Sequence, residues 1–584
     1  NFSILGLLLA LQFLGGEPTI IYLTVWFLVF YALVFSQKSW RAILADLGGL
    51  LLSGLVAVGL IAVQLLPFVE LLLLSDRVVR TAYELVTMWS FPPRELLTFI
   101  FPFFFGNLSQ FGSYTETLLG KTHQAWLISP YLGIFPLIFV FLSFRRERAK
   151  PLFFTATALI SLLLAFGKYM PIYKVLYNLV PGISFIRYPV KYLFLTTFCL
   201  SILAGLGMEE IMRIFDFAKE KFKKTSMVFI PIFIFIISFT ILGYLFIQRI
   251  FDIFAQKYPQ NIPFYFFYLL ARIMEFNLQS LLALSAYFFI LIILFFIASR
   301  GQVKRGIFLG IIILVTIADL FSNNSSMNIS IASSSLSEIP ENYRILLKEN
   351  GLYRFLYTPE MEKENIVIYG ENYAAALANS KDNFAANRHI PYHLFDFYGY
   401  ESVKPLRFFK FYHQEFRNEK IKENARYLDL FNIKYLVTTQ EVELKHFKLL
   451  RHKTKYAQDV YLYQNQKVFP RAYLLDRAFR PNLKIGKVKI MKYLPTEIEI
   501  NASLNEPGSL FLSEAYYPGW KAYVDGKKSQ IKLANDLFRS VSLSPGKHQV
   551  KFVYDPLLFK IGAAISLFTL LGLGMCFIFF GRKR

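Results

Sequence analysis

The pattern that decides the fold appears in residues 37–66, QKSWRAILADLGGLLLSGLVAVGLIAVQLL. Basic residues precede an apolar run that exceeds the roughly 20 residues needed to cross the hydrocarbon core of a bilayer. Similar runs recur from the first residue to about residue 322, and one more lies near residues 557–580. We therefore predict a polytopic α-helical membrane protein, with about nine helices in residues 1–322 and one C-terminal helix.

The basic residues mark one side of the membrane, because positive charge is retained on the cytoplasmic side during insertion. Lysines and arginines cluster in alternate gaps between the apolar runs, at Lys38–Arg41, Arg145–Lys150, Arg213–Lys224, Arg300–Arg305 and Arg582–Arg584. All of these clusters can face the cytoplasm together. This arrangement predicts that the polar block at residues 323–556 lies outside the cytoplasm.

The polar block divides into two regions by pattern. Residues 323–482 mix strand-like and helical runs and predict an α/β region. Residues 483–556 alternate apolar and polar positions between Gly, Pro and Asn breaks, which predicts a β-sandwich. Asp525-Gly526 is a hairpin signal, since both residues tolerate positive φ. Residues 557–584 form the last transmembrane helix and a basic cytoplasmic tail.

Composition agrees with a membrane class, since 55% of the chain is hydrophobic and 18% is aromatic. The net charge of +23 lies partly in the short basic gaps and accompanies no nucleic-acid motif, so we expect no nucleic-acid partner. Cys199 and Cys576 both fall in predicted membrane helices, so we expect no disulfide in the polar block. The chain begins at Asn1 inside an apolar run, and we expect further helices upstream.

Several motifs together resemble the bacterial YfhO-type membrane protein family. The most specific is EAYYPGWKAYVDGKK at residues 514–528, followed by PGKH at residues 545–548. Upstream, QLLPFVE at residues 64–70 and RYPVK at residues 187–191 also fit. The resemblance covers most of the chain.

The resemblance implies a GT-C-like glycosyltransferase: a multi-spanning enzyme that uses a polyprenyl-phosphate sugar outside the bacterial cytoplasmic (inner) membrane. It implies membrane lipid and an envelope polymer, such as a teichoic acid, as partners, and no cofactor besides the lipid-linked sugar. The chain departs from the family's pattern at Gly16-Glu-Pro-Thr19, where a His-Pro-Gln-like turn is expected. The family's early loop, which carries the main catalytic acid in GT-C enzymes, is expected in the missing N-terminal part.

Three basic residues are candidates for binding the lipid phosphate. Arg187 and Lys191 stand four apart where a predicted outer loop enters a membrane helix, and Arg77 lies just beyond the third helix. Cations on this side oppose the charge rule and need a partner. A phosphate at headgroup depth would serve, with arginine offering a bidentate fork. Snorkelling to ordinary headgroups or pairing with a structural carboxylate are the alternatives.

Three carboxylates at the same boundary are candidate catalytic bases: Glu17, Glu70 and Asp319. Glu17 also suits a helix N-terminus, where negative charge is favourable. Asp319 could instead pair two helices. An acceptor hydroxyl is deprotonated only by a carboxylate within hydrogen-bond reach.

Trp520, Tyr516 and Tyr517 are possible glycan contacts, although aromatics beside a Pro-Gly turn can equally form sandwich core. Alternation places Tyr523 in that core. His389 and His393 with Asp396 resemble a metal site only weakly, because Pro391 breaks the spacing, so we predict no metal.

Two other functions remain open. A transporter or flippase of a lipid-linked glycan would also need cations at headgroup depth, but it predicts charged residues through mid-membrane and repeat symmetry, which the sequence lacks. A non-catalytic scaffold whose outer domain binds glycan is the third possibility.

Overall fold

The computed structural model describes residues 2–36, 39–78, 82–105, 129–145, 148–180, 182–217, 227, 229–257, 264–325, 330–349, 351–364, 373–455 and 458–581. Parts of the predicted basic clusters, at residues 38, 146, 219–224 and 582–584, lie outside this range.

The described residues up to position 325 are mainly helical. The α-helices among the described residues are α1 (Phe2–Leu14), α2 (Pro18–Phe35), α3 (Trp40–Leu73), α4 (Tyr83–Val86), α5 (Ile134–Leu142), α6 (Ala149–Ala165), α7 (Pro171–Leu179), α8 (Leu193–Phe217), α9 (Phe229–Lys257), α10 (Phe264–Ser299) and α11 (Arg305–Asn324). Short 3₁₀ helices occur at Asp76–Val78, Pro93–Phe99, Ser143–Arg145, Gly167–Tyr169, Ile183–Phe185 and Pro189–Tyr192.

Six helices of the described chain are long and apolar enough to cross a membrane: α2, α3, α8, α10, α11 and the C-terminal α18 (Leu557–Gly581). Four shorter apolar helices, α1, α5, α6 and α9, accompany them. Large apolar side chains are exposed along these helices, as lipid contact requires. The prediction of a polytopic helical membrane protein with a sheet-rich C-terminal domain is confirmed.

Helix α3 is the element around which the candidate site is built. Its 34 residues span about 51 Å at 1.5 Å per residue, which exceeds the hydrocarbon thickness of about 30 Å. Both α1 and α18 pack along it. The contact with α18 is close, since a Cβ on Gly562 would lie 2.3 Å from the carbonyl oxygen of Ala62. The last helix is thereby fixed against the third.

The mixed region carries a five-stranded sheet in the order β2-β1-β3-β5-β4. Its strands are β1 (Arg354–Tyr357), β2 (Phe395–Asp396), β3 (Ile433–Thr438), β4 (Phe447–Lys455) and β5 (Gln458–Asn465). Its helices are α12 (Ser333–Ser337), α13 (Glu341–Leu347), α14 (Pro359–Glu364), α15 (Tyr373–Asp382), α16 (Leu406–Glu415) and α17 (Ala425–Leu430). Strands β1, β2 and β3 are parallel.

The second region is a β-sandwich with sheet orders β11-β10-β14-β8-β7 and β12-β13-β9-β6. Its strands are β6 (Ala472–Leu475), β7 (Gly486–Leu494), β8 (Glu497–Leu504), β9 (Gly508–Ala515), β10 (Trp520–Val524), β11 (Lys527–Ser529), β12 (Lys532–Ala534), β13 (Phe538–Leu543) and β14 (Gly546–Tyr554). The predicted hairpin forms, with Asp525 and Gly526 at φ of 52° and 79°. Strand β6 precedes the predicted start of the sandwich at residue 483 but forms the edge of its second sheet.

Strand β9 explains why the two regions act as one body. Leu510 and Leu512 point into the sandwich core, whereas Phe511 joins a cluster that includes Leu356 and Phe431 of the mixed region. Because alternate residues of a strand face opposite sides, both faces of this strand are buried. The two regions therefore share a continuous core.

The register of β10 differs from the prediction for Tyr523. Ala522 is buried in the sandwich core, and Trp520 and Val524 pack against the same core. Tyr523 consequently lies on the opposite face of the sheet, paired with Lys551 and Lys528. The expectation that Tyr523 lies in the core is wrong, because its neighbour Ala522 occupies the core-facing position.

Candidate functional site

The candidate site lies at the C-terminal end of α3, where the C-terminal domain docks onto the helices. Ser75 forms a β-bridge with Pro405, and the amide of Leu406 donates to the carbonyl of Leu74 at 2.9 Å. The amide of Asp76 donates to the carbonyl of Lys404 at 3.2 Å. These backbone bonds fix the segment that follows α3 against the mixed region.

Arg77 and Arg187 are near enough at this junction for the charge of Arg187 to act on Arg77. The Arg77 Nη2 donates to the carbonyl of Ser402 at 2.6 Å, and its Nε lies 4.0 Å from Asp76. Burial lowers the pKa of Arg77, and the nearby charge of Arg187 lowers it further. Within the described residues Arg187 has no carboxylate partner, and its buried Nε has no hydrogen-bond partner. Two guanidinium groups that repel each other favour a bound anion between them.

Strained backbone holds Arg187 in place. Tyr188 has φ of 70°, which is unfavourable for a residue with a side chain. Its amide donates to the carbonyl of Val86 at 2.9 Å, and its ring contacts Trp89 with centroids 4.2 Å apart. Pro189 restricts Tyr188 further, because the residue before proline avoids the helical region. Such strain is frequent at functional sites.

Lys191 and Glu17 form an ion pair, with Nζ 2.8 Å from Oε2. Glu17 also caps α2, since its Oε1 accepts from the amide of Thr19 at 3.2 Å. Burial would raise the pKa of the Glu17 carboxyl, but Lys191 and Thr19 outweigh burial and hold it below its usual range. The Lys191 ammonium and the Glu17 carboxylate are therefore paired with each other. The prediction that Arg187 and Lys191 act together on one phosphate does not match this pairing.

Glu70 lies at the same end of α3 and faces the sandwich. Burial raises the pKa of Tyr517 to about 12, and the negative charge of Glu70 contributes to the shift. The pKa of Tyr554 is raised in the same way, first by burial and then by Glu70. Glu70 and Tyr517 were predicted separately from distant motifs, and the structure brings them within electrostatic range of each other.

Asp319 occupies a different position, away from this junction. Its carboxylate accepts from the hydroxyl of Tyr131 at 2.7 Å, the amide of Ile134 at 3.1 Å and the Nδ2 of Asn323 at 2.9 Å. With three donors and 1% exposure, it fixes the turn before α5. These contacts favour the helix-pairing alternative for Asp319.

The remaining predicted residues differ in exposure. Tyr516 is 44% exposed beside Tyr517. Trp520 packs on the sandwich core, with the guanidinium of Arg539 3.8 Å from its ring centroid. His389 is buried with its ring against Phe355. In the described part of the chain, no three His, Cys, Asp or Glu side chains are grouped as a metal would require.

Sequence reasoning missed Tyr188 and Tyr554 as site residues. The signal for Tyr188 was present in the Arg-Tyr-Pro order, which forces an unusual backbone. Tyr554 carried no local signal, because its position beside Glu70 depends on the contact between α3 and α18.

The profile of a family described as bacterial membrane protein YfhO matches residues 19–482 and 475–566. No curated protein and no solved structure matches the chain.

Proposed function

Since the chain belongs to the bacterial YfhO family of membrane proteins, we propose that it is a GT-C-type glycosyltransferase. It transfers a sugar from a polyprenyl-phosphate donor to an envelope polymer outside the cytoplasm. Residues 323–556 lie on that side of the bacterial cytoplasmic membrane, so donor and acceptor meet at the end of α3.

The observation that carries this proposal is the pair Arg77 and Arg187. Two guanidinium groups within electrostatic range of each other, each with a buried Nε that has no hydrogen-bond partner among the described residues, provide donors and charge for one phosphate. The pair lies beyond the end of α3, where the C-terminal domain begins, and this position supports a role at the level of the lipid headgroups. A lipid phosphate fits this position better than a soluble nucleotide, which would need a domain to hold its base.

The reaction assigns a role to each group. An acceptor hydroxyl oxygen attacks the anomeric carbon of the sugar, the bond from that carbon to the phosphate oxygen breaks, and the electron pair stays on the phosphate. Arg77 and Arg187 stabilise this developing charge. Glu70 takes the proton of the acceptor hydroxyl, and Tyr517 and the exposed Tyr516 contact the glycan. Lys191 and Glu17 hold the entry of α2 beside Arg187.

The experiment measures transfer of a radiolabelled sugar from polyprenyl phosphate to envelope acceptor in membranes that contain the full chain. Arg187→Ala should lower the rate by about 10²–10³, the usual loss for one electrostatic donor group. Arg187→Lys should recover only part of it, because an ammonium lacks the planar fork. Arg187 is the better probe of the pair, since Arg77 also anchors the loop at Ser402.

Arg480→Ala is the matched control, because Arg480 is an arginine with a 79% exposed side chain. It should leave transfer unchanged at equal expression. Normal transfer by Arg187→Ala would remove the phosphate role. Movement of labelled lipid across vesicles without any transfer would instead support a flippase.

A further inference from the structure

A second group of arginines lies inside the C-terminal domain, where the mixed region meets the sandwich. Arg354 begins β1, Arg471 directly precedes β6, and Arg539 lies in β13. All three surround Glu514, near the end of β9. Their side chains are 10%, 1% and 2% exposed, so the charges are nearly sealed from solvent.

Of the three arginines, Arg354 makes the close ion pair with the Glu514 carboxylate. Its Oε1 accepts from Arg354 Nη2 at 2.9 Å and from the hydroxyl of Tyr493. Arg354 also donates from Nη1 to Ser513 Oγ at 2.9 Å. The other two guanidinium groups stay farther from the carboxylate, with Arg471 Nη1 at 3.7 Å and Arg539 Nη2 at 3.9 Å.

Arg471 is left without hydrogen bonds. None of its Nε, Nη1 and Nη2 atoms has a hydrogen-bond partner within the described residues, and the same holds for Arg539 Nη1. Arg471 lies against aromatic rings instead, with centroids of Phe395 at 5.1 Å and of Tyr493 at 5.6 Å. Such contacts are worth less than the burial of an ion costs, so they do not account for the site.

The charges of the group do not cancel. Asp396 is the other carboxylate near Arg354, but it already accepts from the amides of Tyr398 and Gly399, each at 3.0 Å. Burial lowers the pKa of Arg471 to about 10, so this group is still a cation at neutral pH. Three guanidinium groups thus surround Glu514 in an interior that solvent scarcely reaches, and Asp396 acts on Arg354 and Lys404 rather than on Arg471 and Arg539.

We propose that Arg471 and Arg539 bind a small oxyanion of the phosphate class beside Glu514. The three nitrogens of Arg471 and the Nη1 of Arg539 have no hydrogen-bond partner among the described residues and match phosphate oxygens, whereas Arg539 Nε donates to the carbonyl of Glu514 at 3.3 Å. An anion supplies the missing negative charge. Because both arginines are almost fully buried, a small free ion is compatible with this position and a lipid headgroup with its tails is not. This site is separate from the Arg77–Arg187 pair and does not depend on the chain being a glycosyltransferase.

The test follows thermal unfolding of the purified full chain in detergent, with inorganic phosphate replacing chloride at constant ionic strength. The midpoint of the unmodified chain should rise by about 2–4 °C and then saturate, as for any ligand that binds only the folded state. Arg471→Met should abolish the saturable rise. In phosphate-free buffer it should not lower the midpoint, because it removes an unpaired charge and leaves Glu514 with Arg354.

Arg477→Met is the control, since Arg477 is exposed six positions along the chain, and it should keep the full phosphate response. Arg471→Lys retains the charge without the planar fork. It should raise the phosphate concentration needed for half of the rise in midpoint about tenfold. An equal phosphate response in the unmodified chain and in Arg471→Met would overturn the proposal. So would a lower midpoint of Arg471→Met in phosphate-free buffer together with no phosphate response in the unmodified chain, since Arg471 would then act only as a structural partner of Glu514.

Discussion

Arg187 and Lys191 show how a residue pair that is near in sequence is separated by its partners. Their spacing predicts one helix face, but Tyr188 has positive φ and residues 189–192 form a 3₁₀ helix. Arg187 therefore lies beside Arg77, whereas Lys191 pairs with Glu17. The sequence identified the charged residues of the site, but the pairing depends on backbone strain that spacing does not reveal.

His389 supplies a pH-dependent prediction at the same scale. Burial lowers the pKa of His389 to about 4, whereas an unfolded histidine titrates near 6.5. The unfolded chain therefore binds a proton first as the pH falls from 6.5 to 4, and the folded state loses roughly 1–3 kcal/mol. His389→Phe keeps a ring against Phe355 and should reduce this acid-induced loss, measured as unfolding midpoints at pH 7.5 and pH 5.

The exposed His452 provides the comparison. A His452→Phe variant should lose stability in acid as the unmodified chain does. An acid-induced fall of equal size in the His389→Phe variant would show that His389 does not titrate as its burial implies.

Among the elements, the strands of the sandwich were predictable because their signal is local. Alternation and the Asp525-Gly526 turn placed β7, β8, β10 and β14 without knowledge of their neighbours. Strand β6 was not predicted to join the sandwich, because its run Ala472–Leu475 is wholly apolar and its partner β9 begins about 33 residues later. The burial of both faces of β9 likewise depends on the mixed region that covers one of them.

The contact between α3 and α18 gives a prediction for a single glycine. Gly562→Val would place side-chain atoms against the backbone of Ala62 and Val63. Overpacking of this kind costs about 1–3 kcal/mol or more. The variant should unfold at a lower temperature in detergent and should lose the proposed sugar transfer, because α18 holds Tyr554 near Glu70.

Gly572→Val tests the same substitution on the same helix, where a Cβ meets no atom within 4 Å. It should behave as the unmodified chain. If both glycine variants melt alike, the close approach of α3 and α18 does not limit stability.

At the scale of the whole molecule, charge distribution predicts orientation. The charge rule predicts that the basic gaps stay in the cytoplasm, so Ser337→Cys and Lys527→Cys should react with an impermeant thiol reagent in intact cells. Both positions are exposed. The background should lack Cys199 and Cys576.

Gln302→Cys, in the basic loop between α10 and α11, should react only after lysis. Labelling with the opposite pattern would place the C-terminal domain in the cytoplasm and remove the proposed donor site with it.

The packing of α18 on α3 also implies a delay during biosynthesis, because the two helices are synthesised at different times. Ala62 and Gly562 are about 500 residues apart, so at roughly 5–20 residues per second the ribosome needs about 25–100 s to deliver the second after the first. During that interval the face of α3 that packs against α18 lacks this contact. Glu70 comes within electrostatic range of Tyr517 and Tyr554 only after α18 has been inserted. A nascent chain that stops before α18 therefore lacks the helix that brings Tyr554 near Glu70. The insertion of α18 completes the proposed site.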